Sequence, residues 1–370
     1  MQANEQVFAD LPDAMVRDLL ERAEPVATQI CQYVEALRKV THGLRQMAED
    51  SGLVCRKRDL DLPPEPSVVG VDGSYQLHRL TALDLCAAAA IAVEGAVKEG
   101  RRHWPEPHYH IWAAGVPHQG QPVSVLRALM VSMEMDLAIN APHDVVLLDG
   151  SFASLVIYIN QGASQMNRVG PQLREAFRKR WDEGLYDSLL DILKSRHIAA
   201  VPKFTSHNEL CSRIGMNTST RTDGKTLATL ILQDGEYTSP IPLEQPPSPY
   251  HLPEPANNEQ LNDAMRDIHV VYFRPYRWTA ALRLELPKSV VNNPTRLATM
   301  LDGIERQFFT PAVFEPYPLF LADRMVKSLG SATGVLEQMV AQHVAGNAVD
   351  IETAMLFLQN YRTEGGGGGF

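Results

Sequence analysis

The chain has 370 residues, 45% of them apolar, and a formal net charge of −10, enough for one large domain or two smaller ones. An acidic average of this size excludes a general polyanion binder, and no apolar run approaches the ~18 residues that a membrane span needs. Cys31, Cys55, Cys86 and Cys211 are scattered and form no Cys-x-x-Cys, which excludes a zinc ribbon or a disulfide framework and points to a reducing cytoplasm.

The N-terminus carries Glu5, Asp10 and Asp13 and lacks the basic-then-apolar order of a secretory signal. Residues 12–50 have a helical pattern, with Pro25 breaking or restarting the run. After it Val26, Ile30, Tyr33, Leu37, Val40, Leu44 and Met47 recur at alternating steps of four and three, the narrow stripe of a helix pair. Two readings fit: a helix packed on its own domain, or a dimer or partner seam. Residues 1–58 are read as this N-terminal helical region. Asp59 to Pro66 reads as a charged linker.

From Ser67 the core begins. Val68-Val69-Gly70-Val71 is a buried-strand pattern ending at Asp72-Gly73-Ser74. Thr81 to Val93 and His108 to Ala114 are further strand candidates. Val123 to Asn140 is helical, with Leu126, Met130, Met133 and Leu137 on one face and Glu134 beside it. Val145-Val146-Leu147-Leu148 then repeats the first device, ending in Asp149-Gly150-Ser151. Arg174 to Ser195 is a charged amphipathic helix, and His197 to Val201 is a strand leading to Pro202-Lys203-Phe204. The order β-β-β-α-β-α-β implies an α/β mixed sheet with flanking helices, the order of the ribonuclease H fold.

Charge is segregated along the chain. Met166 to Thr226 holds eleven basic residues against seven acidic ones, while Gln233 to Met265 holds six acids and no base. A local nucleic-acid surface therefore remains available to an acidic protein. Residues 238–255 contain seven prolines and read as an extended acidic loop. Ile268 to Phe273 and Trp278 to Leu286 are strands; in the second, Trp278, Leu282, Leu284 and Leu286 face one way and Thr279, Arg283 and Glu285 the other. Helices follow Asn293-Pro294, carrying Leu297, Leu301 and Ile304, and Pro316-Tyr317-Pro318, carrying Leu321, Met325 and Leu329. Residues 331–364 are C-terminal helices, and the glycine-rich 365–370 is a flexible tail.

Asp72, Glu134 and Asp149 are the acids that this order brings together. Asp is rarely buried without a partner or a metal, and two strand-end aspartates with the same Asp-Gly-Ser ending point to carboxylates around a divalent cation. Oxygen-only ligands suit Mn²⁺ or Mg²⁺, and two such ions activate water and stabilise a leaving oxygen in phosphodiester hydrolysis. Lys203 is placed to meet a phosphate. Arg274, Tyr276 and Arg277 interleave guanidinium and aromatic groups, the mixture that contacts DNA by pairing and stacking. His108 and His110 alternate on one strand, away from the acids. Asp323 is a late acid on an apolar helix, where a salt bridge with Arg324 or Lys327 is the ordinary role.

The ordered set Val69-Gly70-Val71-Asp72-Gly73-Ser74, Glu134, Leu147-Leu148-Asp149-Gly150-Ser151, Lys203 and Tyr317-Pro318-Leu319-Phe320-Leu321-Ala322-Asp323 resembles the NurA nuclease family over residues 67–330. The resemblance implies a ribonuclease H-like core and Mn²⁺-dependent DNA cleavage, with Asp72, Glu134 and Asp149 as metal ligands. It also implies a homodimer docked on a HerA-type hexameric ATPase, in DNA end resection or anti-phage defence. Archaeal members present a histidine where this chain has Asp323, which leaves the fourth ligand open. A non-catalytic DNA-binding or adaptor subunit is the competing reading, and the presence of all three core acids argues against it. An adhesion module would need a second serine after Ser74, and a haloacid-dehalogenase phosphatase an acid at Ser74 itself.

Overall fold

The computed structural model describes residues 11–97, 102–203, 208–215, 223–348 and 350–359. The 365–370 tail lies outside the described residues. The chain divides into two units, Met1–Leu53 and Val54–Phe370.

In the first unit, α1 (Asp13–Glu21) and α2 (Ala23–Asp50) are separated at Arg22. Pro25 falls in the first turn of α2, where no intrahelical N–H bond is lost, so it restarts the helix. The stripe on α2 is mixed: Val26 is 49% exposed and Ile30 58%, whereas Leu37 is only 8% exposed and Leu44 is also covered.

The second unit begins earlier than the linker reading implied. β1 (Val54–Arg56) pairs antiparallel with β7 (Glu236–Thr238), so the boundary lies at 53 rather than 58. Its remaining strands are β2 (Val68–Arg79), β3 (Asp84–Glu94), β4 (His108–Val116), β5 (Val145–Asp149), β6 (Ile198–Val201), β8 (Ile241–Pro242), β9 (Ile268–Arg274) and β10 (Leu282–Pro287). One sheet runs β1-β7-β9-β10-β6-β5-β2-β3-β4, with β8 on β9. Within it β4-β3-β2-β5-β6 is the ribonuclease H arrangement: three antiparallel strands in meander, then β5 and β6 added parallel to β2.

Helices cover both faces. One face carries α3 (Pro122–Ile139), α4 (Phe152–Gln165), α5 (Pro171–Asp182) and α6 (Leu185–Leu193). The expected single helix over 174–195 is thus two, because Gly184 takes φ +99°, a left-handed conformation that breaks the run. The other face carries α11 (Pro294–Glu305) and α12 (Tyr317–Lys327), whose Leu297, Leu301, Ile304 and Leu319 pack with Val68, Val145, Leu147, Leu284 and Leu286 in one core. The short α7 (Glu209–Arg213), α8 (Gly224–Ile231), α9 (Asn258–Arg266) and α10 (Lys288–Val291) connect the later strands. α13 (Leu329–Asn347) and α14 (Ile351–Phe357) belong to the same unit as the core rather than to a separate one, and backbone N–H groups of Thr81 and Ala82 donate to carbonyls of Gln359 and Phe357.

Two further expectations change. The Pro-rich 238–255 segment is packed: Ile241, Leu243 and Leu252 are buried, and Asn258 and Asn262 bond its backbone. Prolines there remove donors, and side-chain amides supply the missing partners. On α12 the buried face is Leu319, Ala322 and Val326, while Met325 is exposed. The helix is thus turned away from the Leu321–Met325 stripe.

Candidate active site

Asp72 does not end its strand. β2 continues to Arg79, and Gly73 is an extended strand residue rather than a turn. The glycines around Asp72 serve close packing instead. A Cβ on Gly70 would lie 2.5 Å from the backbone N of Leu319, and a Cβ on Gly73 would lie 2.5 Å from Oε1 of Glu134. Side chains alternate across a strand, so Gly70 admits α12 on the face that Asp72 shares, and Gly73 admits α3 on the opposite face. Each acid-bearing helix reaches β2 through a missing side chain.

The second Asp-Gly-Ser is a true turn. Gly150 takes φ +85°, and the Ser151 side chain accepts from the Ser154 N–H as the N-cap of α4. In both copies the aspartate Oδ1 accepts from the following glycine N–H, at 2.8 Å in Asp72 and 2.9 Å in Asp149. The parallel register Val71↔Leu148 sets the two aspartates side by side.

Asp323 comes from α12 to complete the group. One oxygen each of Asp72, Asp149 and Asp323 lies within 4.8 Å of the others. Glu134 is buried beside this group but outside it, so the distances draw in the residue whose place the sequence left open. Lys203, just beyond β6, has its Nζ 3.1 Å from Asp149, 2.9 Å from Asp323 and 3.2 Å from Glu315. Lys327 also pairs with Asp323, at 2.7 Å.

Burial raises three of the five acids here, Asp72, Glu134 and Glu315, above the usual carboxylate range. Burial, followed by repulsion from Asp149, pushes Asp72 up to about 8. Burial, then Asp72 and Asp149, holds Glu134 well above the usual carboxylate range. Burial opposes the charge on Lys203, but Asp149, the bond to Asp323 and Glu315 outweigh it and raise its pKa. Burial acts on Asp323 in the opposite sense to its bonds from Lys327 and Lys203, which prevail and lower its pKa. Acids that resist ionisation when metal-free, as Asp72 and Glu134 do, are the electrostatic counterpart of a cation site. Its donors are all carboxylate oxygens, so Asp72, Asp149 and Asp323 fit a hard divalent cation.

Glu315 and Lys225 escaped the sequence reading. Glu315 lies in the aperiodic stretch before α12. Lys225, on α8, donates to the Lys203 carbonyl at 2.9 Å, and burial depresses its pKa. Glu315 stands in a segment without a period or motif, and Lys225 in the first turn of a helix only eight residues long. The expected nucleic-acid trio is split by its packing. Arg274 donates to the carbonyls of Thr229 and Leu232 at the end of α8 and to that of Arg277. Its guanidinium is therefore engaged with backbone instead of being presented outward. Tyr276 stacks on Trp278, ring centroids 5.0 Å apart, against the core. Arg277 is exposed. His110 pairs with Asp136 at 2.8 Å. Phe204, Thr205 and Ser206, which follow Lys203, lie outside the described residues.

No curated protein sequence matches this chain. Among solved structures it is similar to the NurA nuclease from Sulfolobus solfataricus, at 11% identity and a TM-score of 0.60, over 92% of this chain and 99% of that one. It is similar also to a NurA solved with manganese (14%, TM-score 0.52, 86% and 97% covered) and to a NurA bound to dAMP and manganese (13%, TM-score 0.50, 91% and 99% covered). At these identities the likeness is one of fold, which it places with the ribonuclease H-like topology described above. The family profile of the NurA domain matches residues 66–328, a span that contains every acid of the cluster, and the chain belongs to the NurA family.

Proposed function

We propose that the protein is a metal-dependent DNA nuclease that cuts phosphodiesters at the Asp72–Asp149–Asp323 cluster. The observation that carries this reading is the convergence of three carboxylates from β2, β5 and α12 to within 4.8 Å, with Glu134 buried beside them and Lys203 against them. The NurA structures with manganese and with dAMP support it. A divalent metal held there would make water nucleophilic and neutralise charge on the phosphate. Asp72, Asp149 and Asp323 would hold it. Glu134 adds negative potential from the far face of β2. Lys203 presents an ammonium to the phosphate, and Arg277 is available on the surface for the DNA backbone.

Mn²⁺ is the expected cofactor, because carboxylates from separate elements need not meet the near-ideal octahedron that Mg²⁺ demands. With labelled linear DNA, cleavage is expected to be faster in Mn²⁺ than in Mg²⁺ and absent in Ca²⁺. Full activity in EDTA, or activity with Zn²⁺ alone, defeats the site assignment.

The same reading takes the chain as a homodimer working with a HerA-type hexameric ATPase in DNA end processing or anti-phage defence; family membership supports it. The exposed part of the α2 stripe is the surface offered for those contacts. Leu37 is covered and unsuited as a probe, whereas Ile30 is open. Ile30→Asp is expected to lower the size-exclusion mass or weaken ATPase docking while basal cleavage persists. If mass and docking both stay unchanged, the stripe has no such role.

A further inference from the structure

Beneath the Asp149 turn lies a buried ionic network that the chemistry above does not use. Arg283, on β10, is 1% exposed. Its guanidinium pairs with Glu285 on the same strand and with Glu209 on α7, the latter at 2.6 Å. The other oxygen of Glu285 accepts the backbone N–H of Phe152 at 2.8 Å. Phe152 is the first residue of α4, three positions after Asp149. The other oxygen of Glu209 accepts from the Tyr272 hydroxyl at 3.2 Å. A Cβ on Gly224 would lie 2.2 Å from that hydroxyl oxygen, so the start of α8 rests on it. The next residue, Lys225, donates to the Lys203 carbonyl.

One guanidinium here bridges two buried carboxylates, each of them a charge taken from water. Such a charge is tolerated only where further donors meet it. The α4 N-terminus meets Glu285, where a helix end favours an anion, and Tyr272 meets Glu209. The elements that receive these bonds flank the site: α4 follows Asp149, and α7 and α8 follow Lys203. A hydrophobic contact would hold the same elements less directionally than a guanidinium that bridges two carboxylates does.

We propose that Glu285 is a positioning residue for the metal site. It holds the Asp149 turn through the Phe152 N–H, and Arg283 fixes Glu285 in turn. The proposal rests on the nuclease reading. Residues that orient metal ligands typically change metal affinity or activity by about 10–100-fold when altered, and that range is expected for Glu285→Gln. The amide keeps the shape but cannot serve both Arg283 and Phe152.

The test measures Mn²⁺ binding to the full chain by electron paramagnetic resonance of the free ion, alongside DNA cleavage and thermal melting. Glu285→Gln is expected to weaken Mn²⁺ binding by roughly tenfold or more and to lower kcat at saturating Mn²⁺, with KM for DNA little changed. Tyr272→Phe leaves the Phe152 bond in place and is expected to bind Mn²⁺ nearly as the wild type does. A Glu285→Gln protein that melts earlier yet binds Mn²⁺ normally when folded overturns the proposal. If that variant is not recovered folded, Arg283→Lys, which loses the planar bridge between Glu285 and Glu209, is read in the same way. Failure of both to fold makes the network purely structural and also overturns it. A wild type that binds no Mn²⁺ overturns the nuclease reading itself.

Discussion

Asp72→Asn is expected to abolish cleavage and to make the metal-free protein more stable. The loss should exceed about 10³-fold, or roughly 4 kcal/mol of barrier, because the amide replaces one of three clustered carboxylates with a neutral group. The gain in stability follows from the same environment. Burial and Asp149 raise the Asp72 carboxyl to about 8 in the folded protein, above its value of ~3.9 in an unfolded chain. The folded state thus binds the proton more tightly. Its contribution to stability is full below pH ~4 and is lost as pH rises through the folded pKa. Asn mimics the protonated form at every pH. Wild type and variant should therefore melt together near pH 4 and diverge toward pH 8, by roughly 5 kcal/mol at most. Excess Mn²⁺ should restore the wild type and leave the variant unmoved. Melting curves without metal at both pH values check this; a variant less stable than wild type at pH 8 would contradict it.

Gly70→Ala is the second large effect, and it acts at a distance from the chemistry. Its methyl would meet the α12 backbone at Leu319 and Pro318 rather than a movable side chain. Overpacking of this kind costs about 1–3 kcal/mol, occasionally more. Because α12 carries Asp323, the displacement also opens the cluster, so activity is expected to fall with stability. Gly73→Ala is the control. There the methyl meets Oε1 of Glu134 and Cγ of Met130, which are side-chain atoms able to shift, and the Ala89 carbonyl only at 3.1 Å, so the stability cost should be smaller. Thermal melting of both variants, with cleavage rates measured well below the melting temperature, separates the two. Equal stability of Gly70→Ala and wild type would mean that α12 does not depend on this contact.

These glycines show where sequence reasoning succeeds and where it stops. The aspartate pair was legible because each follows an uninterrupted apolar run, which is the mark of a strand buried on both faces. The parallel register then had to set the two together. Asp-Gly-Ser, however, is locally the same text in both places. Only Gly150 turns the chain, whereas Gly73 makes room for a helix, and no short-range signal separates these uses. Asp323 was visible as an acid but not as a partner, since its approach depends on Gly70, some 250 positions away in the sequence. β10 begins at Leu282 rather than Trp278, and the alternation of Leu282, Leu284 and Leu286 with Arg283 and Glu285 does not by itself tell whether the polar side is open. Arg283 and Glu285 are both buried there, because the elements following Asp149 and Lys203 close over them. Arg274 is hidden from sequence for a similar reason: a helix end more than 40 residues earlier in the chain takes its donors. The boundary at 58 failed because β1 is three residues long and pairs with a strand about 180 positions later.

If Asp72, Asp149 and Asp323 form one metal-dependent site for cutting DNA, loss of a single carboxylate ends cleavage. Side-by-side incubation of labelled linear DNA with purified wild type and Asp149→Asn, in Mn²⁺ and in EDTA, tests it most directly. Cleavage by wild type in Mn²⁺ alone, with none by the variant under either condition, is the predicted result. Cleavage by Asp149→Asn at the wild-type rate, or by wild type in EDTA, would contradict it.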